Sequence, residues 1–211
     1  MPGPGPGRGP PGETRVTHFL RPATIALACV LLLPACASES KISATQLKAL
    51  ALARSDLPAQ FQAFSEGPTA TLDTQGTPRS SLQRFGRKGG WVARFNRGGT
   101  ATTKGPLVVV STIDVFGSAG GAKDDLGAYR IQLGRQITDQ GARPVSVSGL
   151  GDEAVGLTSI QTSEKPVRSF TIAWRERNAT GSITANGFDG RIQLTDVLRL
   201  ARIQEARMAR A

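Results

Sequence analysis

Residues 107–116 read LVVVSTIDVF, a stretch in which most side chains are β-branched or aromatic. Such a run is typical of a central strand that is covered on both faces. Ser118 then has a side chain preferred at a helix N-cap, and Gly141 is expected to end that helix. Between them, apolar residues recur at steps of three and four, as in an amphipathic helix: Ala122, Leu126, Tyr129, Leu133 and Ile137.

The segments on both sides of this strand and helix predict a sheet and two more helices. A helix is expected over 43–54 and another over 197–210. Alternating segments predict strands at 60–65, 91–96, 145–147, 153–160, 170–174 and 183–185. Arg177-Asn178 is expected to form a hairpin turn, with Asn178 in the left-handed conformation. This order predicts a single α+β domain over 43–211, a largely antiparallel sheet covered by helices.

An apolar run over 23–33 ends at the sequence Leu33-Pro34-Ala35-Cys36. The run is about half the roughly 20 residues that a membrane-spanning helix needs, and Arg15, His18 and Arg21 precede it as the positive segment of a signal peptide. The junction resembles the lipobox of bacterial lipoproteins, in which an aliphatic residue and two small or neutral residues precede a cysteine. The resemblance implies acylation of Cys36, for instance with palmitate, and a protein tethered to the bacterial cell membrane outside the cytoplasm.

Residues 1–35 are accordingly expected to be removed as a signal peptide, and residues 36–42 to form a lipid-anchored tether. Residues 1–15 are of low complexity, rich in Gly and Pro, and cannot form a packed core. Val16 is therefore a candidate for the true start of the chain, which would leave a compact signal peptide over 16–35.

Removal of the signal peptide would leave a chain without histidine and without a free thiol. Cys29 and His18 lie in the signal peptide, and Cys36 is committed to lipid. Cys–His pairs, the Ser-His-Asp triad and the usual zinc ligand sets are thereby excluded. We expect no catalytic residues, no metal and no cofactor, and serine or carboxylate chemistry is the enzymatic alternative.

The charge of the chain favours anionic partners. The whole sequence carries a formal charge of +10, and residues 36–211 retain 23 basic residues against 15 acidic ones, spread along the chain. Lipid headgroups, envelope polymers and acidic ligands suit such a balance. Nucleic acid is not expected as a partner, because the protein is placed outside the cell.

Two groups of basic residues are candidate contact surfaces. One is a candidate anion-binding or membrane-facing patch, with a solvated strand edge as the alternative: Arg84, Arg87, Lys88, Arg94 and Arg97. The other lies in the last helix, where it either complements the helix dipole or faces anionic lipid: Arg199, Arg202, Arg207 and Arg210.

Two pairs of neighbouring carboxylates are given structural roles. Asp152 and Glu153 would point to opposite faces if both lay on a strand, so they are poorly placed to share a proton or an ion, and a turn role is favoured for Asp152. Asp124 and Asp125 are expected in the first turn of the long helix, where negative charge complements the helix dipole.

The stretch Gly149-Leu150-Gly151-Asp152-Glu153-Ala154-Val155, followed by a hairpin and a terminal helix with Leu200-Ala201-Arg202, resembles envelope lipoproteins of high-GC bacteria. Those proteins are similar to the PsbP-like α/β/α sandwich, and the resemblance implies no catalytic residues. The sequence therefore predicts a non-enzymatic binding or interaction module at the cell envelope. The alternatives are a structural, assembly or transport accessory protein, and a hydrolase that uses serine or carboxylate chemistry.

Overall fold

The computed structural model describes residues 40–69, 79, 82–140 and 142–211, except for the side chains of residues 82, 84 and 138–140. The apolar run, the lipobox with Cys36, most of the tether and Gly141 lie outside the described residues. No helix within these ranges is long and apolar enough to span a membrane.

A single antiparallel sheet of seven strands forms the middle layer of the domain. The strands are β1 (Gln62–Pro68), β2 (Arg87–Asn96), β3 (Val108–Phe116), β4 (Arg143–Pro144), β5 (Glu153–Gln161), β6 (Val167–Glu176) and β7 (Ala179–Phe188). Their order across the sheet is β1-β2-β3-β7-β6-β5-β4, and every neighbouring pair is antiparallel. The strand predicted from residues 107–116 is β3, which pairs on both sides and is buried along most of its length.

Helices cover the two faces of this sheet, so the prediction of an α+β sandwich is confirmed. The helices are α1 (Leu47–Leu50), α2 (Ala119–Gln140) and α3 (Leu194–Arg210), and short 3₁₀ turns lie at Ala44–Gln46, Arg54–Asp56 and Leu82–Phe85. Ser118 caps α2 as predicted, because its hydroxyl accepts a hydrogen bond from the Gly121 N–H at 3.1 Å.

The helix predicted over 43–54 is wrong in its length. It ends after Leu50, and Ala51 is extended. Ala51 and Leu52 are both buried, and the Leu52 N–H donates to the hydroxyl of Ser111 on β3 at 3.0 Å. Burial of an extended segment against the sheet therefore replaces the helical hydrogen bonds that the sequence pattern favoured.

The main apolar core lies between the sheet and α3. Ile113, Ile172 and Ile183 of three adjacent strands are fully buried there, together with Leu200 and Met208 of α3. Burial of such side chains is worth about 1.5–3 kcal/mol each, so this layer supplies most of the hydrophobic stabilisation.

Trp174 shares a strand face with Phe170 and Ile172, and this alternation predicts that its side chain is buried against the long helix α2. The indole belongs instead to the core on the α3 side, so that prediction is wrong in the helix. The side chain of Trp174 is fully buried, as predicted. Gly181, its partner on β7, makes room for the indole, because a Cβ there would lie 2.6 Å from the ring. Alternation along β6 predicts which residues share a face with Trp174, but it does not predict which helix covers that face.

The hairpin between β6 and β7 turns at the predicted position but with a different residue in the left-handed conformation. Arg177 has a φ of +51°, which is in the left-handed region, whereas the sequence predicts that conformation for Asn178. The amide of Asn178 is committed to other segments: it accepts from the Ile42 N–H at 2.8 Å and donates to the Phe116 carbonyl at 2.8 Å. These long-range bonds fix the conformation of Asn178, so the left-handed position falls on its neighbour.

Candidate functional site

A polar groove lies between α2 and the face of the sheet that α2 covers. The groove has a volume of about 390 Å³. Hydroxyl and amide side chains dominate its lining, with two leucines and one arginine: Thr112, Ser159, Ser169, Thr171, Ser182, Thr184, Tyr129, Gln132, Gln136, Leu133, Leu157 and Arg79. A second hollow of about 430 Å³ shares Ser159 and Ser169 with this groove and continues it along the strands.

Strand register explains why so many hydroxyl groups meet on this face. Thr171 on β6 lies opposite Thr184 on β7, and Ser169 lies opposite Asn186 in the next row. Within these rows, the two threonine hydroxyls are 3.1 Å apart and the Ser169 hydroxyl donates to the Asn186 amide oxygen at 2.7 Å. Each hydroxyl has one donor and two acceptor positions, so this floor keeps unused capacity for further hydrogen bonds.

Tyr129 of α2 closes one end of the groove. Its phenol oxygen lies 3.0 Å from the Ser182 hydroxyl, and its ring packs with Leu126 against Ala173. Burial raises the pKa of Tyr129 above its usual range, so the phenol stays neutral and serves as a hydrogen-bonding group.

An ion-pair cluster adjoins this end. Arg79 donates from Nε to Asp125 Oδ1 at 2.7 Å and from Nη2 to Asp114 Oδ2 at 3.0 Å, and its guanidinium stacks 3.8 Å from the centre of the Tyr129 ring. Arg87 approaches Asp114 to 2.7 Å on the other side. Two arginines thus face two buried aspartates, and the charges of the cluster cancel.

Asp125 is the most enclosed member of the cluster. Its side chain is fully buried, and it accepts a hydrogen bond from the Thr180 hydroxyl at 2.6 Å as well as those from Arg79. Burial raises the pKa of Asp125 above its usual range, and the charge and hydrogen bonds of Arg79 oppose that shift in part.

The prediction that Asp124 and Asp125 occupy the first helical turn is wrong. Capping by Ser118 starts α2 at Ala119, so both residues lie beyond its first turn. Asp124 is exposed, whereas Asp125 points to the sheet. Its structural role depends on contacts with distant residues and not on the helix dipole.

The candidate basic patch is distributed over several environments. The side chain of Arg84 lies outside the described part of the chain. Arg87 is buried in the ion pair with Asp114, and Arg97 donates to the Pro106 carbonyl at 2.7 Å. Lys88 is exposed and Arg94 is half-buried. Two of these cations are thus engaged by groups of the protein itself.

Asp152 takes the turn role favoured by the sequence. Its carboxylate accepts from the Arg177 N–H at 3.0 Å and pairs with Arg175 at 2.8 Å. Glu153 pairs with Arg130 of α2 at 3.0 Å, and this hydrogen bond holds the pKa of Glu153 below its usual range. Within the described ranges, no three acidic, cysteine or histidine side chains are placed to hold a metal ion.

The groove itself was missed by sequence reasoning, although a signal for it exists. On β7, Ile183 and Ala185 share one face, and Ser182, Thr184 and Asn186 alternate with them on the other face. On β6, Ser169 and Thr171 lie on this same face of the sheet. The polar residues of these two adjacent strands lie at matched positions, and α2 packs over them. The result is a polar groove between the helix and the sheet.

No family model matches the chain, and no curated protein matches it. Among solved structures, the fold is similar to that of the extracellular domain of PknH from Mycobacterium tuberculosis, with a TM-score of 0.57 and 12% sequence identity. The match covers 82% of this chain and 99% of the other. At this identity the likeness concerns the fold alone, and it agrees with the α+β sandwich described above.

Proposed function

We propose that this chain is an extracytoplasmic, lipid-anchored binding module of the cell envelope, that it catalyses no reaction, and that its ligand occupies the groove under α2. The observation that carries this proposal is the concentration of hydroxyl and amide side chains around one groove. The volume of about 390 Å³ falls within the range of small-molecule sites. The fold likeness to an extracellular domain supports an extracytoplasmic location.

The chemistry of the lining favours a neutral ligand rich in hydroxyl groups, such as a sugar. Arg79 is the one charged residue among the described lining residues, and its charge is cancelled by Asp114 and Asp125. An anionic ligand would therefore find no free counter-charge here. Side chains that both donate and accept hydrogen bonds match the alternating donors and acceptors of a carbohydrate.

The same arrangement gives little support to the hydrolase alternative. A serine nucleophile needs a base within hydrogen-bond reach, and the described lining residues include no carboxylate, lysine or histidine. Asp114 and Asp125 are held by arginines instead of facing the groove floor. A structural or assembly accessory protein, the remaining alternative, would not require an open groove lined in this way.

Ligand-observed NMR with neutral disaccharides (maltose, lactose and cellobiose) tests the groove, with glucuronate as an anionic comparison. We expect saturation transfer from the protein to at least one neutral sugar. Thr184→Phe fills the groove floor and should abolish the signal, whereas Thr195→Phe, a matched change at an exposed position of α3, should preserve it. Equal signals in the two variants, or transfer to glucuronate alone, would contradict this site.

The lipid anchor is tested separately by metabolic labelling with palmitate. Cys36→Ala should abolish the label and leave a larger, uncleaved precursor, because the acylated residue and the cleavage junction are lost together. Cys29→Ala, the matched control in the same segment, should be labelled and processed like the wild type. Label that persists in Cys36→Ala would contradict the anchor.

A further inference from the structure

The chain enters the domain beside the C-terminal end of α3. Ser40 is the first described residue, and Nη1 of Arg177 donates to its carbonyl at 2.8 Å and to its hydroxyl at 2.9 Å. Nη2 of the same guanidinium donates to the Met208 carbonyl in the last turn of α3. Because Arg177 is buried and binds both segments, the entry point of the tether and the end of α3 are fixed together.

This entry point limits how far the domain can stand from the membrane. Only four peptide units separate Cys36 from Ser40, and a chain of that length spans at most about 14 Å. If Cys36 carries lipid, as the proposed function requires, Ser40 can lie no farther than this from the acylated residue, and Arg177 holds the end of α3 beside Ser40. A Debye length at moderate ionic strength is about 10 Å, so charges near this end act on the membrane surface.

The outer face of α3 is basic. Arg199, Arg202 and Arg210 are exposed, and they border a shallow apolar depression that contains Ile203 and Ala206. With a rise of about 1.5 Å per residue, the row from Arg199 to Arg210 is about 16 Å long. It runs back from the entry point of the tether along the same helix.

The helix dipole accounts for only part of this row. Favourable interaction with the dipole is confined to the last turn, which holds Arg207 and Arg210. Arg199 and Arg202 lie further from the C-terminus than that turn. The guanidinium of Arg207 is bound within the protein, because it donates to the Asp56 carboxylate and to the Ala51 carbonyl, each at 2.6 Å. The exposed arginines therefore remain available to an external anion.

We propose that the exposed face of α3 rests on the anionic phospholipid headgroups of the membrane that holds the anchor. Each basic side chain close to such a surface strengthens the attraction roughly fivefold, so three arginines suffice to bias the orientation of an already tethered domain. The groove under α2 lies on the opposite face of the sheet and would point away from the membrane, open to ligands.

The test uses the lipidated protein in vesicles of phosphatidylcholine, with or without phosphatidylglycerol. The processed chain has no other cysteine, so a donor fluorophore can be attached at Ala206→Cys on α3 or, as the matched control, at Ile131→Cys on the exposed side of α2. Energy transfer to an acceptor on the lipid headgroups then reports the distance of each helix from the membrane.

We expect stronger transfer from position 206 than from position 131 in vesicles that contain phosphatidylglycerol. Arg199→Glu with Arg202→Glu should reduce the difference, whereas the same charge change at the exposed Lys123 and Lys165 should not. Equal transfer from the two positions, or no response to the arginine reversal, would overturn the proposed membrane face and leave the anchor standing. A protein that does not associate even with neutral vesicles would contradict the anchor and this inference together.

Discussion

Removal of one partner from the buried ion pair between Arg79 and Asp125 should be strongly destabilising, and this perturbation is the sharpest test of the site. Arg79→Met keeps most of the side-chain length but removes three hydrogen bonds to carboxylates. Among the described residues, Asp125 would then keep only the Thr180 hydroxyl as a hydrogen-bond partner. Its carboxyl must either remain charged in a buried position or take up a proton, and both outcomes cost free energy.

The expected loss of unfolding free energy in Arg79→Met follows from the burial of the ion pair. Breaking a buried ion pair by removing one partner costs about 3–5 kcal/mol. The side chain of Asp125 is fully buried and that of Arg79 is 15% exposed. Asp114 keeps Arg87 after the substitution, so we expect the lower end, about 3 kcal/mol. For a domain stabilised by roughly 5–15 kcal/mol, this is a large fraction.

Urea denaturation of a double-mutant cycle measures the pair without the other contacts of either residue. Arg79→Met, Asp125→Asn and the combined variant should give a coupling energy of about 2 kcal/mol. The surface pair Lys48–Glu66 is the control, since its atoms are 3.1 Å apart but both side chains are largely exposed. Lys48→Met and Glu66→Gln should couple by less than about 1 kcal/mol.

Similar coupling energies for the two cycles would refute this reasoning. That result would mean that Arg79 is not held against α2 at the groove end, and the neutrality of the groove would lose its basis. If Arg79→Met lost stability without coupling to Asp125, the loss would come from other contacts of the arginine.

Three further predictions follow from burial. Trp174→Ala should cost roughly 3–5 kcal/mol in urea denaturation, and Trp91→Ala, at a half-buried position, clearly less. Gly181→Ala should cost about 1–3 kcal/mol because its Cβ would overlap the indole, whereas Gly127→Ala, with open space in the middle of α2, should gain about 0.5–1 kcal/mol. Burial raises the pKa of Asp125 in the folded state, so the folded protein binds this proton more readily than the unfolded chain. As the pH falls from neutral towards the unfolded pKa of about 3.9, the wild type should therefore gain stability relative to Asp125→Asn, and the opposite trend would show that the ion pair outweighs burial.

Much of the fold is predictable because its signals are local. The β-branched run at 107–116 gives β3, and the apolar positions Ala122, Leu126, Tyr129 and Leu133 of α2 are all buried. Ile137, the last member of that series, is 39% exposed. Local periodicity thus predicts which face of an element is buried, but not how completely each residue of that face is covered.

The sequence predicts the strands and the helix that carry the candidate site, but not which side chains meet there. Arg79 lies in a segment without helical or strand periodicity, and nothing near it in sequence indicates that it reaches Asp125, 46 positions away. The candidate patch from Arg84 to Arg97 illustrates the opposite case: neighbours in sequence are separated in the fold, with Arg87 in a buried ion pair and Lys88 exposed. Contacts between side chains at large sequence separation depend on strand order, which alternation does not encode.

The sequence by itself determined the class of this domain, the position of β3 and the long helices, because each depends on spacing between near neighbours; acylation at Cys36 stays a prediction. Tertiary structure alone decided that Trp174 packs under α3, that matched polar positions of β6 and β7 meet under α2, and that Arg177 joins Ser40 to the end of α3. The physical reason is that the parity of a strand assigns side chains to two faces, and only the packing of the helices makes one face an apolar core and the other a polar groove.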